Sequence, residues 1–245
     1  MNATVVIATM ARQELLRECL KRLSGCKVIV VDSSPKPARL PKKISENVSY
    51  VHAPGLNASA ARNHGTKKSK SEYIVFLDDD TFVGPGWAPA LERAMRDGED
   101  AVVGLSKGKY SYFLPSKRHH VSSQLKVMNA TNGNNWAVKK SLFNALGGFN
   151  EELGPGSAYK SAEDTELMFR VLGVTRVLVE PAMAAEHMQK GGPHLYESYA
   201  LGFGRALRLH LLEPPALALL IGYFAKNLFL LRLSRLKGFL KGFLL

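Results

Sequence analysis

Tyr73-Ile74-Val75-Phe76-Leu77 is an unbroken apolar run of strand length that ends in three adjacent carboxylates, Asp78-Asp79-Asp80. Such a run has no solvent face, so it fits a strand covered on both sides, as in a parallel sheet wrapped by helices. The acids then sit at the mouth of that sheet. If extended geometry continues, Asp78 and Asp80 point to one side and Asp79 to the other, and two carboxylates can share one cation. Mg²⁺ or Mn²⁺ would relieve their repulsion while keeping coordination positions for water and phosphate oxygens. A solvated Asp-rich turn is the competing explanation.

The rest of the first half alternates in the same rhythm. Thr4 to Ala8 and Lys27 to Val31 read as strands around a helix near Arg12 to Leu23, whose apolar face is Leu15, Leu16, Cys19, Leu20 and Leu23. Val48 to His52 and the acidic strand flank a helix near Asn57 to Lys67, and Lys36 to Lys43 reads as a surface loop. This βαβ pattern predicts an α/β fold with a doubly wound, mainly parallel sheet. Thr9, Asp32 and Asp78 fall at strand ends, where open α/β sheets bind ligands. Further strands are expected at Val102 to Leu105, Asn135 to Val138 and Val174 to Val179, with helices at Lys140 to Leu146 and Ala162 to Leu172. Between them, Lys107, Tyr110, Tyr112, Phe113, Lys117, Arg118, His119 and His120 form a basic, aromatic stretch of poor periodicity, read either as a substrate loop or as a solvated one.

Glu163 and Asp164 open the last of these helices. Leu167, Met168 and Val171 follow Asp164 by three, four and seven positions, which puts Asp164 at the buried edge. Ser161 three residues before it fits a capping box, and a carboxylate at a helix start facing a cleft also suits a general base. Phosphate loops of the Gly-x-x-x-x-Gly-Lys-Ser/Thr type are absent, Gly202-Phe203-Gly204 lies far from any strand-to-helix turn, and no Gly-x-Ser-x-Gly elbow occurs.

The chain's 245 residues allow one large domain and a tail, divided here as 1–190 and 191–245. Two cysteines cannot make a disulfide framework, and no basic n-region precedes Val5-Val6-Ile7, so a cytoplasmic location is expected. Of the formal charge of +12, a net +6 lies between Arg205 and Leu245, interleaved with Leu and Phe. That interleaving favours a membrane surface over nucleic acid, for which no signature is present. Pro214-Pro215 breaks the chain there; the 16 residues from Ala216 to Leu231 are short for a membrane span and are interrupted by Lys226 and Asn227. Leu231 to Leu245 reads as an interfacial helix, giving peripheral attachment to the inner face of the cell membrane. A helical hairpin packed on the catalytic domain or on a second subunit of a homo-oligomer is the alternative.

Taken in order, Val5 to Thr9, Val30 to Ser34, Asn57 to Gly65, Phe76 to Thr81, Gly147 to Leu153 and Glu163 to Leu167 resemble the family 2 glycosyltransferases of the GT-A fold, over roughly residues 4 to 190. The resemblance implies a nucleotide-diphosphosugar donor, transfer with inversion, and a glycan or lipid-linked acceptor. It implies that Thr9 and Asp32 line the nucleoside pocket and that Arg62, Asp78 and Asp79 lie near the donor. Asp80 would bind the cation with His187 as a further ligand, Asp164 would be the base with Glu163 as its understudy, and Trp136 and Asn135 would lie in the acceptor region. Ala11, where the family often has Asn, Ser33, in place of a frequent second acid after Asp32, and Asn150, where it usually has Asp after Gly-Gly-Phe, depart from the pattern. A metal-dependent sugar-phosphate nucleotidyltransferase and a non-catalytic nucleotide-sugar-binding subunit are the competing readings.

Overall fold

The computed structural model describes residues 2–39, 47–108, 115–188 and 195–244. The end of the Pro/Lys loop, and Tyr110, Tyr112 and Phe113, lie outside them. Nine strands share one sheet: β1 (Ala3–Thr9), β2 (Lys27–Asp32), β3 (Val48–His52), β4 (Tyr73–Asp78), β5 (Thr81–Val83), β6 (Ala101–Lys107), β7 (His119–Val121), β8 (Asn135–Lys139) and β9 (Val177–His187). The order is β3-β2-β1-β4-β8-β6-β9-β5, with β7 against β9. The first four strands are parallel, as their apolar runs require; β8 is antiparallel to both β4 and β6, while β6 and β9 are again parallel.

Alternation along β4 shows why its run has no polar position. Ile74 and Phe76 enter the core on one face with Val6, Ile29 and Val31, whereas Tyr73, Val75 and Leu77 enter the opposite core with Val5, Ile7 and Val28. Helix α1 (Gln13–Arg22) closes the second core with Leu16, Cys19 and Leu20, and α2 (Ala58–Lys68) closes the first. A Cβ on Gly65 of α2 would stand 2.6 Å from Val6, so only glycine lets α2 lie this close to the sheet. Phe76 packs among Trp136, Phe143 and Phe149 at centroid distances of 5.0, 5.4 and 4.9 Å. Burying side chains of this size stabilises by about 1.5–3 kcal/mol each, and here it anchors the strand that carries the acids.

Three further helices complete the body: α3 (Trp87–Arg96), α4 (Lys140–Ala145) and α5 (Glu163–Leu172). α3 was not expected, although Trp87, Ala90, Leu91 and Ala94 recur at helical spacing and are all buried; Pro89 sits in the first turn, where it is tolerated. β9 runs eight residues past the end expected for it. A register shift opposite Gly104 and Leu105 accommodates Pro181, and the strand continues to pair with β5.

The last helices are α6 (Tyr196–Leu209), α7 (Pro214–Phe229) and α8 (Leu233–Leu244). α8, the run expected to lie on a membrane surface, packs on α6 through Leu236, Gly238, Phe239 and Gly242, while Leu233, Leu240 and Leu244 remain exposed. Cβ atoms at Gly204, Gly238 and Gly242 would meet facing backbone at 2.2, 2.3 and 1.9 Å, so the second glycine of the late Gly-Phe-Gly serves close helix packing, and the first, Gly202, lies against Ser161. α6 joins α5 through His210, whose Nε2 is 2.9 Å from Glu166 and whose Nδ1 is 2.6 Å from Glu213, with Arg170 also on Glu166. Burial lowers the His210 pKa, but the two carboxylates outweigh it and the net shift is upward from 6.5.

A histidine raised in this way stabilises fully below its unfolded pKa, and that contribution is lost as pH rises through the folded value. His210→Ala is therefore expected to cost roughly 1–3 kcal/mol at about pH 6. Thermal unfolding of both proteins should show the gap narrowing toward about pH 9.

Candidate active site

Thr9, Arg12, Arg62, Asp78, Asp79, Asp80, Glu163, Asp164 and His187 line one cleft of about 1110 Å³ at the carboxyl ends of β1 and β4. β4 ends at Asp78 and the chain turns through Asp79 and Asp80 into β5. Because Thr81 of β5 is paired with His187 of β9, the strand register itself delivers the imidazole to the acids. Met188 N–H also donates to the Asp80 carbonyl at 3.0 Å. His187 Nε2 lies 3.2 Å from Asp80 Oδ1 and 3.8 Å from Asp78 Oδ2, and one ligand atom from each of the three residues falls within 4.8 Å of the others.

These residues fit a divalent cation. Asp80 Oδ1 is buried and receives no properly aligned hydrogen bond, so a lone pair is left for another partner. Two carboxylates and an imidazole suit Mg²⁺ or Mn²⁺ and leave positions for phosphate oxygens. Burial would raise the Asp80 carboxyl, yet the His187 ring and Arg12 outweigh it and hold it low, in the ionised form a ligand needs. Asp79 turns the other way. It accepts from Thr9 Oγ1 at 2.6 Å and from Arg12 Nη1 at 3.0 Å, and burial still pushes it up to about 6. The same Arg12 nitrogen reaches Asp80 Oδ2 at 2.8 Å.

Arg62 of α2 bridges the strand end and the α5 helix. Its Nη2 donates to Asp78 at 2.7 Å and its Nη1 to Glu163 at 3.0 Å, with the side chain 6% exposed. Removing one partner of such a buried pair typically costs about 3–5 kcal/mol. Glu163 is thereby committed to an ion pair. Asp164, half-buried in the cleft, has no cation within ion-pairing distance among the described residues and accepts only from Thr165 at its own helix start. That difference separates two neighbouring acids that the sequence could not tell apart. Burial pushes Glu163 up to about 7, helped by the Asp164 charge and opposed by Arg62, and burial raises Asp164 as well.

The capping box expected at Ser161 does not form. Ala162 is the N-cap, in a left-handed turn with φ 69°, and Lys160 before it has φ 53°, while Ser161 donates to the Ser198 carbonyl of α6 at 3.0 Å. Gly133 covers Asp164 from the other side; a Cβ there would stand 2.5 Å from Oδ2.

Two expectations are corrected by burial. Asp32 is fully buried and lies off the cleft: Ser34 N–H, the Ser34 hydroxyl, Ala38 N–H and the Tyr50 hydroxyl occupy both its oxygens, so it shapes the loop while neighbouring Ser33 faces the cavity. Trp136 and Asn135 do not reach an acceptor either. Trp136 belongs to the aromatic core, and Asn135 is spent on Trp87 Nε1, Leu105 O and Met183 O at 2.8, 2.9 and 2.8 Å. The cleft wall there is Thr131, Asn132, Gly133 and Asn134. Arg12 and Tyr199 went unremarked in the sequence; Arg12, three residues beyond a strand-end threonine, carried a positional signal. Ala11 has φ 56°, a conformation asparagine tolerates better, and Asn150 still caps its turn by accepting from Glu152 N–H at 2.9 Å.

Fold and site together describe an α/β protein whose sheet opens into a cleft holding an Asp-Asp-His trio that could bind a metal ion. Residues 4–148, more than half of the chain, match the family model for glycosyl transferase family 2. The chain belongs to that family. It is similar to the succinoglycan biosynthesis protein ExoM of Rhizobium meliloti (strain 1021), 30% identical over an alignment of 130 residues, with 47% of this chain and 42% of the relative covered. It is also similar to the putative glycosyltransferase EpsH of Bacillus subtilis (strain 168), 24% identical over 41% of this chain and 32% of the relative. The matches thus span less than half the length of these relatives. Among solved structures, S. aureus TarS 1-349 in complex with UDP-GlcNAc superposes with a TM-score of 0.66 at 19% identity, covering 85% of this chain and 65% of that one, which establishes a shared fold.

If Asp80 supplies the decisive metal oxygen, Asp80→Ala should weaken Mn²⁺ binding at least about ten-fold, by isothermal titration with the metal alone. Unchanged Mn²⁺ affinity would remove the ligand assignment.

Proposed function

We propose that the chain transfers a sugar from a nucleotide-diphosphosugar to an acceptor hydroxyl, with inversion at the anomeric carbon. One observation carries this reading: a metal-ligand trio and a carboxylate without a cation partner line the same cleft. TarS, which shares the fold, was solved with UDP-GlcNAc, and this supports a nucleotide-sugar as donor.

Breaking a sugar–phosphate bond builds positive charge on the ring and negative charge on the departing diphosphate. A cation held by Asp78, Asp80 and His187 would neutralise that diphosphate charge. Thr9 and Ser33 border the donor side of the cleft, and Arg12 is a mobile-length cation able to move from Asp79 and Asp80 to phosphate oxygens. Arg62 fixes Glu163, and Asp164 takes the proton from the attacking hydroxyl.

The exposed surface of α7 supports attachment to a membrane. Leu217, Ile221, Phe224 and Leu228 recur along one side of the helix, and Leu212, Phe229 and Leu231 at its ends are 98, 86 and 77% exposed. Arg232, Lys237 and Lys241 are exposed on the segment that follows. No helix among the described residues is long and apolar enough to cross a membrane. The α7 stripe would lie on an anionic bilayer, bringing the cleft to a lipid-linked acceptor.

Asp164→Asn should lower kcat by about 10²–10⁴-fold while leaving donor affinity within about two-fold. A base must be deprotonated and burial raises the Asp164 carboxyl, so wild-type kcat/KM should fall toward acid pH with a midpoint above the ordinary carboxylate range. Equal turnover by the variant in a donor-consumption assay would refute the base assignment. Separately, sedimentation with phosphatidylglycerol vesicles should retain the wild-type chain and release an Ile221→Glu/Leu228→Glu variant; equal retention would refute the α7 contact.

A further inference from the structure

The cleft does not end at Asp164. It continues between α6 and α7, walled by Phe203, Leu219 and Tyr223, and includes Lys226, Arg232 and Arg235. Two tyrosines mark its polarity. Tyr199 lies near the acids: burial and the charges of Asp164, Glu163 and Asp78 all raise its phenol. Tyr223 lies near the cations: burial raises it, against Arg235 and Arg232. The extension therefore runs from a carboxylate end to a guanidinium end along an apolar wall.

Its cations are uncompensated. Lys226, Arg232 and Arg235 have no carboxylate ion pair among the described residues, and Arg235 rests on the Tyr196 ring at 4.0 Å. Asn227, 2% exposed, also lines this region; its Nδ2 donates to the Tyr223 carbonyl at 2.8 Å, while its Oδ1 is buried without a partner. Gly222 lies on the same wall, and a Cβ there would meet nothing within 4 Å. By contrast, the glycines of the α6–α8 crossing are crowded. A glycine in mid-helix with free space beside it costs about 0.5–1 kcal/mol relative to alanine, and packing does not account for it.

Resting on the glycosyl-transfer reading above, we propose that this extension is the acceptor subsite and that its occupant is an amphiphile bearing a phosphate or diphosphate. The anionic group meets Lys226, Arg232 and Arg235, Asn227 Oδ1 accepts a hydroxyl from the carried saccharide or from a protonated phosphate, and the hydrocarbon chain follows Leu219 and Tyr223. α7 then has two working faces: Ala218, Gly222 and Lys226 toward the subsite, and the Leu217, Ile221, Phe224 and Leu228 stripe toward the bilayer from which such an acceptor would come.

The test uses the full chain and three probes, farnesyl phosphate, inorganic phosphate and farnesol, titrated calorimetrically below the micellar range. Farnesyl phosphate should bind at least about ten-fold more tightly than either of the others. Gly222→Leu, which fills open space in a helix, and Arg232→Gln/Arg235→Gln should each weaken it about ten-fold or more, with circular dichroism verifying the fold. Equal affinity for inorganic phosphate would reduce the site to a free-phosphate pocket, and equal affinity for farnesol would remove the role of the cations. Wild-type affinity in both variants, or no binding by the wild type, would overturn the subsite. A parallel UDP titration with Mn²⁺ reports on the donor reading by itself: failure there counts against glycosyl transfer and leaves the prenyl phosphate result to be judged separately.

Discussion

A single buried guanidinium holds the chemistry of this protein together. Arg62 sits on α2, donates to Asp78 at the end of β4 and to Glu163 at the start of α5, and lies over the Phe149 ring at 5.6 Å. Three segments that are distant in sequence thereby share one charge. Without it, two carboxylates would face each other in a desolvated cleft, and the spacing between the cation pocket and Asp164 would have no fixed reference. The same bridge distinguishes neighbouring acids: Glu163 is engaged with arginine, while Asp164 has no cation within ion-pairing distance among the described residues.

The second constraint is backbone register. His187 reaches Asp80 because β9 absorbs Pro181 in a bulge and then pairs residue for residue with β5. A short three-residue strand directly after the acids thus has a large effect: it fixes both the turn that aims Asp80 and the strand that brings His187 to it.

Much of this was legible from residue patterns, and the exceptions have physical causes. The parallel strands were readable because burial on both faces leaves no polar position, as β4 shows. The acids at their ends were readable because charge next to such a run is costly without a use. Asp32 misled because a strand-end aspartate that organises its own loop looks, in sequence, like one that meets a ligand; only the four donors around it tell the difference. Asn135 and Trp136 misled similarly, since an amide spent on three internal partners and an indole in an aromatic cluster are indistinguishable by type from surface contacts. Ser161 fitted a capping pattern but was drawn to α6 instead, leaving Ala162 in a strained turn. α8 read as an interfacial helix because its cations and leucines alternate, while the meaning of its glycines depends on a partner helix that no local window contains.

The attachment of α6 to the loop before Asp164 has a consequence for recombining such chains. Ser161 donates to the Ser198 carbonyl, and a Cβ at Gly202 would collide with Ser161 at 2.3 Å, so the helical appendage is part of the scaffold that shapes the reactive turn. A chimaera joined near residue 190 would set a foreign helix against a turn fitted to this one. A joint placed upstream of Ser161 keeps the turn and α6 together.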